Sequence, residues 1–162
     1  MQTDSKLASG ESPRPNLDSF LRFVEFTHRF QQVLRTNRAA GGERRENDAE
    51  HSFQVAIVAW YLNEAMRLPF DSGEILWYGI AHDLVEAYAG DTDPHLYKTT
   101  GPDTKKAREK AALTTIRRKF SEFARLADVI DKYETSKGGT GAAQLVYAVD
   151  KLLVFCQHVP QC

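Results

Sequence analysis

Three polar positions interrupt segments of the chain that are otherwise apolar. His51 opens one apolar segment, the pair His82 and Asp83 lies inside a second, and Asp150 lies inside a third. A buried charged group is costly unless it is hydrogen-bonded, paired or bound to a cation. A core histidine can be hydrogen-bonded, and a buried aspartate can cap a helix or pair with arginine. Since all four residues are of types that ligate divalent metals, a shared metal site is the competing interpretation.

Two acidic residues follow the His82–Asp83 pair. Glu86 is four residues after His82 and three after Asp83, so it is predicted on their side of a helix. A carboxylate beside a bound ion is well placed to take a proton from the attacking water. Asp91 follows Gly90 at the same predicted helix end. Both acidic residues could equally decorate a solvated helix terminus.

The elements that must position these residues are predicted to be helices. A first helix begins near Asn16 or Asp18 and ends before residue 39. A second helix is capped by Asn47, because Glu50 lies at the spacing from which a carboxylate reaches back to the cap. Residues 53–62 of this helix are apolar almost all round, which predicts a central position.

A third helix is predicted from the Asp71–Glu74 pair to Gly90, with His82 and Asp83 in its middle. Residues 91–103 are predicted as a loop, and helical periodicity returns from 104 to about 136 with a bend near Ser121. A last helix is predicted over residues 142–158. No segment shows strand-like alternation. The sequence therefore predicts an all-α fold, a single compact bundle of about five or six helices.

Length and composition favour one domain with an ordinary core. The chain has 162 residues and a net charge of −1, so nothing global favours nucleic acid or an anionic membrane as partner. No apolar run is long enough to span a bilayer. Two cysteines are too few for a disulfide framework, which predicts a cytoplasmic protein. Residues 1–15 are predicted as a loose tail and residues 16–162 as the domain.

Three motifs follow one another along the chain. They read RENDAEHS at residues 45–52, AHDLVE at 81–86 continuing to GDT at 90–92, and AVDKL at 148–152. This ordered set of His, His-Asp and Asp resembles the HD-domain phosphohydrolases and is most similar to their small 5'-deoxynucleotidase-like branch. The resemblance extends over roughly residues 17–155, so it covers nearly the whole predicted domain.

The resemblance implies an all-α HD domain that hydrolyses a phosphate ester. It implies one divalent ion (Mn, Co, Mg, Fe, Ni or Zn) at the positions that match His51, His82, Asp83 and Asp150. Glu86 matches a residue that helps to activate water. Similar enzymes remove the 5'-phosphate from deoxynucleoside monophosphates and often form homodimers, so a small nucleotide substrate and a homodimer are expected here.

Substrate contacts are expected from Arg35, Arg45 and Asp91. Guanidinium groups match the geometry of phosphate, and the resemblance places Asp91 near the sugar and leaving group. The segment VLRTNR at residues 33–38 has arginine but lacks the tryptophan that grips the nucleotide in the similar enzymes. The substrate could therefore also be a nucleoside triphosphate, a cyclic nucleotide or another phosphorylated metabolite. The alternative to an enzyme is a module that binds nucleotides without catalysis.

Overall fold

The computed structural model describes residues 14–38, 44–90 and 102–156. Within these ranges the chain forms helices and one two-stranded sheet, which confirms the all-α prediction with one addition. In chain order the elements are α1 (Leu17–Gln31), β1 (Leu34–Arg38), β2 (Arg45–Asn47), α2 (Asp48–Ala65), α3 (Ser72–Ala81), the short α4 (Glu86–Ala89), α5 (Pro102–Lys119), a 3-10 turn (Ser121–Phe123), α6 (Ala124–Ser136) and α7 (Ala142–Cys156).

The predicted helix starts are confirmed by the side chains that cap them. The Asn16 side chain accepts a hydrogen bond from the Ser19 backbone, which begins α1. The Asn47 side chain accepts from the Glu50 backbone, and the Glu50 carboxylate accepts in return from the Asn47 backbone. Each cap satisfies amide groups that have no partner within the helix. The cap at Asn47 fixes the start of the helix that carries His51.

A β-hairpin follows α1, where the sequence predicted more helix. β1 and β2 are antiparallel, with Leu34 opposite Asn47 and Arg38 opposite Arg45. The prediction of no strand is wrong here because these strands are polar and their side chains do not alternate in hydrophobicity. Backbone hydrogen bonds hold the hairpin, and the Asp48 backbone donates to the Val33 carbonyl to join it to α2. The hairpin brings Arg35 next to the start of α2.

The predicted third helix breaks at the residues of most chemical interest. α3 ends at Ala81, and residues 82–85 form turns before α4 begins at Glu86. Backbone bonds in this stretch tighten to three-residue spacing, as from the Glu86 amide to the Asp83 carbonyl. His82 and Asp83 therefore lie at a helix end and not in a helix centre, which corrects the prediction. The turn still leaves Glu86 on the side of Asp83.

Two clusters of buried apolar side chains form the core. One joins α1, the 82–89 segment, α5 and α6, and the other joins α2, α3, α6 and α7. Helices α2 and α3 approach so closely that a Cβ atom at Gly79 would lie 2.5 Å from the Ala56 Cα. Glycine is therefore needed at this contact. The second cluster holds together the helices that carry His51, His82 and Asp150.

The remaining predictions are partly confirmed. The bend near Ser121 is confirmed by the 3-10 turn, and α5 begins at Pro102, inside the segment predicted as a loop. Helix α2 is not wholly central, because one of its faces is exposed (Phe53, Ile57, Trp60 and Tyr61). Among the described helices, none combines the length and apolarity required to cross a membrane. Residues 1–13 of the predicted tail lie outside the described residues.

Candidate metal centre

Two histidines on different helices face each other in the core. His51 lies in the first turns of α2 with 1% of its surface exposed, and His82 follows α3 with 3% exposed. Their ring centroids are 5.5 Å apart. Apolar packing of α2 against α3 thus places two imidazoles within the span of one small site.

His82 presents a lone pair to this site. Its Nδ1 lies 2.9 Å from the Gly79 carbonyl oxygen, which can only accept, so Nδ1 carries the proton. In the neutral ring Nε2 then carries the lone pair. Nε2 is buried and makes no hydrogen bond of good geometry, although Asp83 Oδ2 lies 3.1 Å away. A buried lone pair beside a carboxylate oxygen is an arrangement that a cation stabilises.

The two predicted aspartate ligands complete the group. One ligand atom from each of His51, His82 and Asp83 lies within 4.8 Å of the other two. Asp150, on α7, places Oδ1 3.0 Å from His51 Nε2. The structure therefore groups three of the four predicted ligand residues, and it places the fourth, Asp150, in contact with His51.

The ionisation of the two aspartates suits a cation. Burial raises the pKa of Asp150, but the His51 hydrogen bond lowers it further, to about 2. Burial also raises the pKa of Asp83, whereas the neighbouring His82 ring and the Arg35 guanidinium hold it well below its usual range. Burial lowers the pKa of His51, but the hydrogen bond with Asp150 and the nearby Glu46 carboxylate outweigh this and raise it to about 9. Both carboxylates are ionised at neutral pH, whereas His51 must lose a proton before it can ligate.

The donor set fits a divalent ion. Two imidazole nitrogens and two carboxylates are ligands that Zn, Fe, Mn, Co or Ni accept. The buried Nε2 of His82, with the ionised Asp83 beside it, is the observation on which the fit rests. The predicted site is thus chemically coherent.

Glu86 and Arg35 lie beside the four candidate ligands. Glu86 is buried at the start of α4, and ligand atoms of Asp48, Asp83 and Glu86 lie within 4.8 Å of one another. The Arg35 side chain, 14% exposed on β1, places Nη1 2.8 Å from Asp83 Oδ2 and 3.4 Å from Asp48 Oδ1. The site therefore combines a buried carboxylate beyond the ligands with a guanidinium that can reach an anion.

Of the two other predicted site residues, the structure describes only Arg45. Arg45 is exposed on β2, and within the described part of the chain its side chain forms no hydrogen bond or ion pair with the candidate ligands. Asp91, expected to contact substrate and to take part in catalysis, lies outside the described residues.

Sequence reasoning missed three charged residues that contact the site. Glu46 Oε2 lies 3.6 Å from His51 Nδ1 and 3.8 Å from Arg35 Nε, and Asp48 is fully buried beside Arg35. Lys105, on α5, reaches Glu86. No sequence signal separates them from ordinary charges: Glu46 and Asp48 resemble a polar segment at a helix start, and Lys105 is one of several basic residues on α5.

Comparison with known proteins identifies a family and similar structures. The family model described as HD domain matches residues 27–161. A structure named as a predicted metal-dependent phosphohydrolase from Magnetospirillum magnetotacticum MS-1 is 28% identical, with a TM-score of 0.69 over 87% of this chain and 71% of that chain.

Two archaeal structures share the fold. A protein from Pyrococcus horikoshii OT3 is 25% identical, with a TM-score of 0.64 over 85% of this chain and 75% of its own. A conserved hypothetical protein from Pyrococcus furiosus is 23% identical, with a TM-score of 0.64 over 85% of this chain and 76% of its own. No curated protein matches significantly. Because the family model covers most of the sequence, the chain belongs to the HD domain family.

Proposed function

We propose that this protein is a metal-dependent phosphohydrolase that removes the 5'-phosphate from deoxynucleoside or nucleoside monophosphates. Metal-dependent phosphohydrolase activity is supported by membership of the HD domain family and by likeness to a protein named as a predicted metal-dependent phosphohydrolase. The main structural support for this activity is the buried His82 Nε2, which faces an ionised Asp83 beside His51. The monophosphate substrate rests on the motif resemblance.

The metal ligands in this proposal are His51, His82, Asp83 and Asp150. A divalent ion held there supplies Lewis acidity toward phosphoryl oxygen and makes water a better nucleophile. The protein orients this donor set through the Gly79 carbonyl, which holds the His82 ring, and through Glu46, which faces the outer nitrogen of His51.

Glu86 takes the proton of the attacking water. Its carboxylate is buried, lies close to Asp83, and is not needed to fill the ligand set. A carboxylate in such a position can hold a hydrogen bond to the water and accept its proton as the oxygen–phosphorus bond forms. The bond between phosphorus and the nucleoside oxygen breaks as the new bond forms, the leaving oxygen takes a proton from solvent water, and Glu86 then returns its proton to the solvent. Asp91 is assigned to the leaving-group end of the substrate.

Arg35 binds the phosphate. Its guanidinium lies among Glu46, Asp48 and Asp83, so it is held in place by charges and remains partly exposed. A guanidinium can bind two phosphate oxygens at once. Arg45 is assigned a weaker, outer contact, since it is exposed on β2.

A phosphate-release screen tests the proposal. Nucleoside mono-, di- and triphosphates and cyclic nucleotides are incubated with the protein and Mn, Co, Mg, Fe, Ni or Zn, with Asp83→Ala as the inactive control. We expect metal-dependent release from deoxynucleoside monophosphates. Chromatography of the nucleotide products accompanies the phosphate assay, because hydrolysis of a cyclic nucleotide gives a monophosphate and no free phosphate. Faster conversion of a triphosphate or a cyclic nucleotide would transfer the assignment to those substrates. Nucleotide binding with no product under any ion would indicate a non-catalytic module.

The proposal includes a homodimer formed through the exposed face of α2. Phe53 and Tyr61 are each 67% exposed, and together with Ile57 and Trp60 they form a stripe at helical spacing. An apolar stripe of this kind is typical of a helix that packs against a partner. Light scattering should show a dimer for the native chain and a monomer for Ile57→Glu with Tyr61→Glu. A native monomer at micromolar concentration would refute the dimer.

A further inference from the structure

Helix α5 carries a lysine that reaches the buried acidic residues of the site. Lys105 Nζ lies 3.6 Å from Glu86 Oε1, and the Lys105 side chain is 25% exposed. The neighbouring basic residues Lys106 and Lys110 are exposed. In the sequence Lys105 resembles these exposed lysines, but in the structure it is partly buried and contacts Glu86.

A surface ion pair does not account for this position. Lys105 also lies 3.3 Å from Glu109 Oε1, one helical turn along α5. Such pairs on exposed helix faces contribute only a few tenths of a kcal/mol. That pair needs no contact with Glu86, which is buried and belongs to a different element.

The charge distribution shows what the second contact can do. Glu86, Asp83 and Asp48 bring their ligand atoms within 4.8 Å of one another, so this side of the site is strongly negative. Arg35 contacts Asp83 and Asp48, whereas Lys105 contacts Glu86. A phosphate monoester is itself an anion and meets repulsion from Glu86 unless a cation lies on that side. Lys105 supplies that cation.

We propose that Lys105 is a second phosphate-binding residue, which contacts a phosphate oxygen of the substrate from the Glu86 side while Arg35 contacts the group from the β1 side. This inference rests on the proposed phosphohydrolase function. An ammonium group on a flexible stem is suited to the role, since it can donate to Glu86 and to an incoming oxygen together.

Binding of inorganic phosphate to the Mn-loaded protein tests the proposal by calorimetry. Lys105→Met removes the charge and keeps the apolar stem, and Lys106→Met is the matched control on the same helix. We expect Lys105→Met to weaken phosphate binding about 10-fold to 100-fold, as for loss of one charged hydrogen bond. Lys106→Met should bind phosphate as the native protein does, and Lys105→Arg should restore most of the loss.

Glu109→Gln separates this role from the helix-surface pair. It removes the second partner of Lys105 and should leave phosphate affinity unchanged. Equal phosphate affinity in Lys105→Met and Lys106→Met would overturn the proposal, as would an equal loss in Glu109→Gln. If Lys105→Met does not fold, Lys105→Gln gives the same comparison.

The two proposals fail in different ways. Native protein that releases phosphate normally, with unchanged phosphate affinity in Lys105→Met, refutes only the role of Lys105. Native protein that releases no phosphate from any ester refutes the hydrolase, yet weaker phosphate binding in Lys105→Met would still support the phosphate contact.

Discussion

The residues assigned to the metal and those assigned to the substrate are held in place by different forces. His51 and His82 lie on tightly packed helices and are almost fully buried. Arg35 and Lys105 come from a polar hairpin and a polar helix, remain partly exposed, and contact the site through ion pairs. Apolar packing fixes side chains within a narrow range of positions, whereas ion pairs on long side chains allow rearrangement. We call the buried metal-ligand residues and the helices packed around them the rigid half of the site, and Arg35 and Lys105 the charged half.

This difference predicts two kinds of defect. Substitutions in the rigid half should remove the metal together with activity. Substitutions in the charged half should keep the metal and change substrate affinity or turnover.

The largest effect is expected for Asp83→Ala. This change removes a candidate ligand and the main partner of Arg35, so metal content and phosphate release should both fall to background. Elemental analysis and a phosphate assay on the same samples measure this. Asp131→Ala, which alters an exposed surface pair, is the control. Normal metal content in Asp83→Ala would contradict the ligand assignment.

Glu86→Gln should reduce turnover while the metal stays bound. Loss of general acid–base assistance typically lowers the rate by about 10² to 10⁴, with little change in the Michaelis constant. Steady-state kinetics on metal-loaded protein gives both quantities, and Glu109→Gln is the matched control. Near-normal turnover would show that another residue accepts the proton, with Asp91 as the first candidate.

The metal-free protein should lose stability as pH rises. The pKa of His51 is about 9 in the folded chain, above its ordinary value of 6.5. Protonated His51 therefore contributes its full stabilisation below pH 6.5, and this contribution disappears as pH increases through 9. The free energy of unfolding should fall by about 3 kcal/mol over this range. Urea unfolding between pH 6 and 9.5, in the presence of a chelator, should show this trend, and His51→Gln should flatten it.

Added Mn should raise the melting temperature of the native protein and leave Asp150→Ala unchanged. An ion present at about 100 times its dissociation constant stabilises the fold by about 2.7 kcal/mol. The variant lacks the carboxylate that contacts His51, so it should bind the ion weakly. A thermal scan with and without Mn measures the difference. An equal increase in both proteins would exclude Asp150 as a ligand.

Gly79→Ala should lower the free energy of unfolding by about 1 to 3 kcal/mol, since an added methyl group forces the closely packed helices α2 and α3 apart. Its Cβ would lie 2.5 Å from Ala56 Cα, whereas a Cβ at Gly138 would have no atom within 4 Å. Urea midpoints for Gly79→Ala and for the control Gly138→Ala test this expectation. Equal midpoints would show that α2 and α3 can separate without cost.

The rigid half could be predicted from sequence, because histidine and aspartate are conspicuous among apolar residues and helix caps follow local rules. Asn47 and Glu50 gave the start of α2 in this way. The other half could be predicted only in part: Arg35 was expected to contact substrate, but neither the hairpin that positions it nor the contact of Lys105 was expected. The hairpin around Arg35 has no apolar alternation, and Lys105 differs from Lys106 only in a contact with a distant residue. The turn after Ala81 was also missed, since residues 82–85 are compatible with a continuous helix.

The close contact between Gly79 and Ala56 has a consequence for how related sequences can diverge. Gly79 lies three residues before His82 and accepts the hydrogen bond that orients that ring, and Ala56 lies five residues after His51. A larger side chain at either position would push the two histidine-bearing helices apart. We therefore expect positions 56 and 79 to vary as a pair across relatives that keep both histidines, with a small residue at each. Lineages that have lost the histidines should show bulkier residues there. The size of the residues at positions 56 and 79, which take no part in the reaction, would then indicate whether a relative has kept the site.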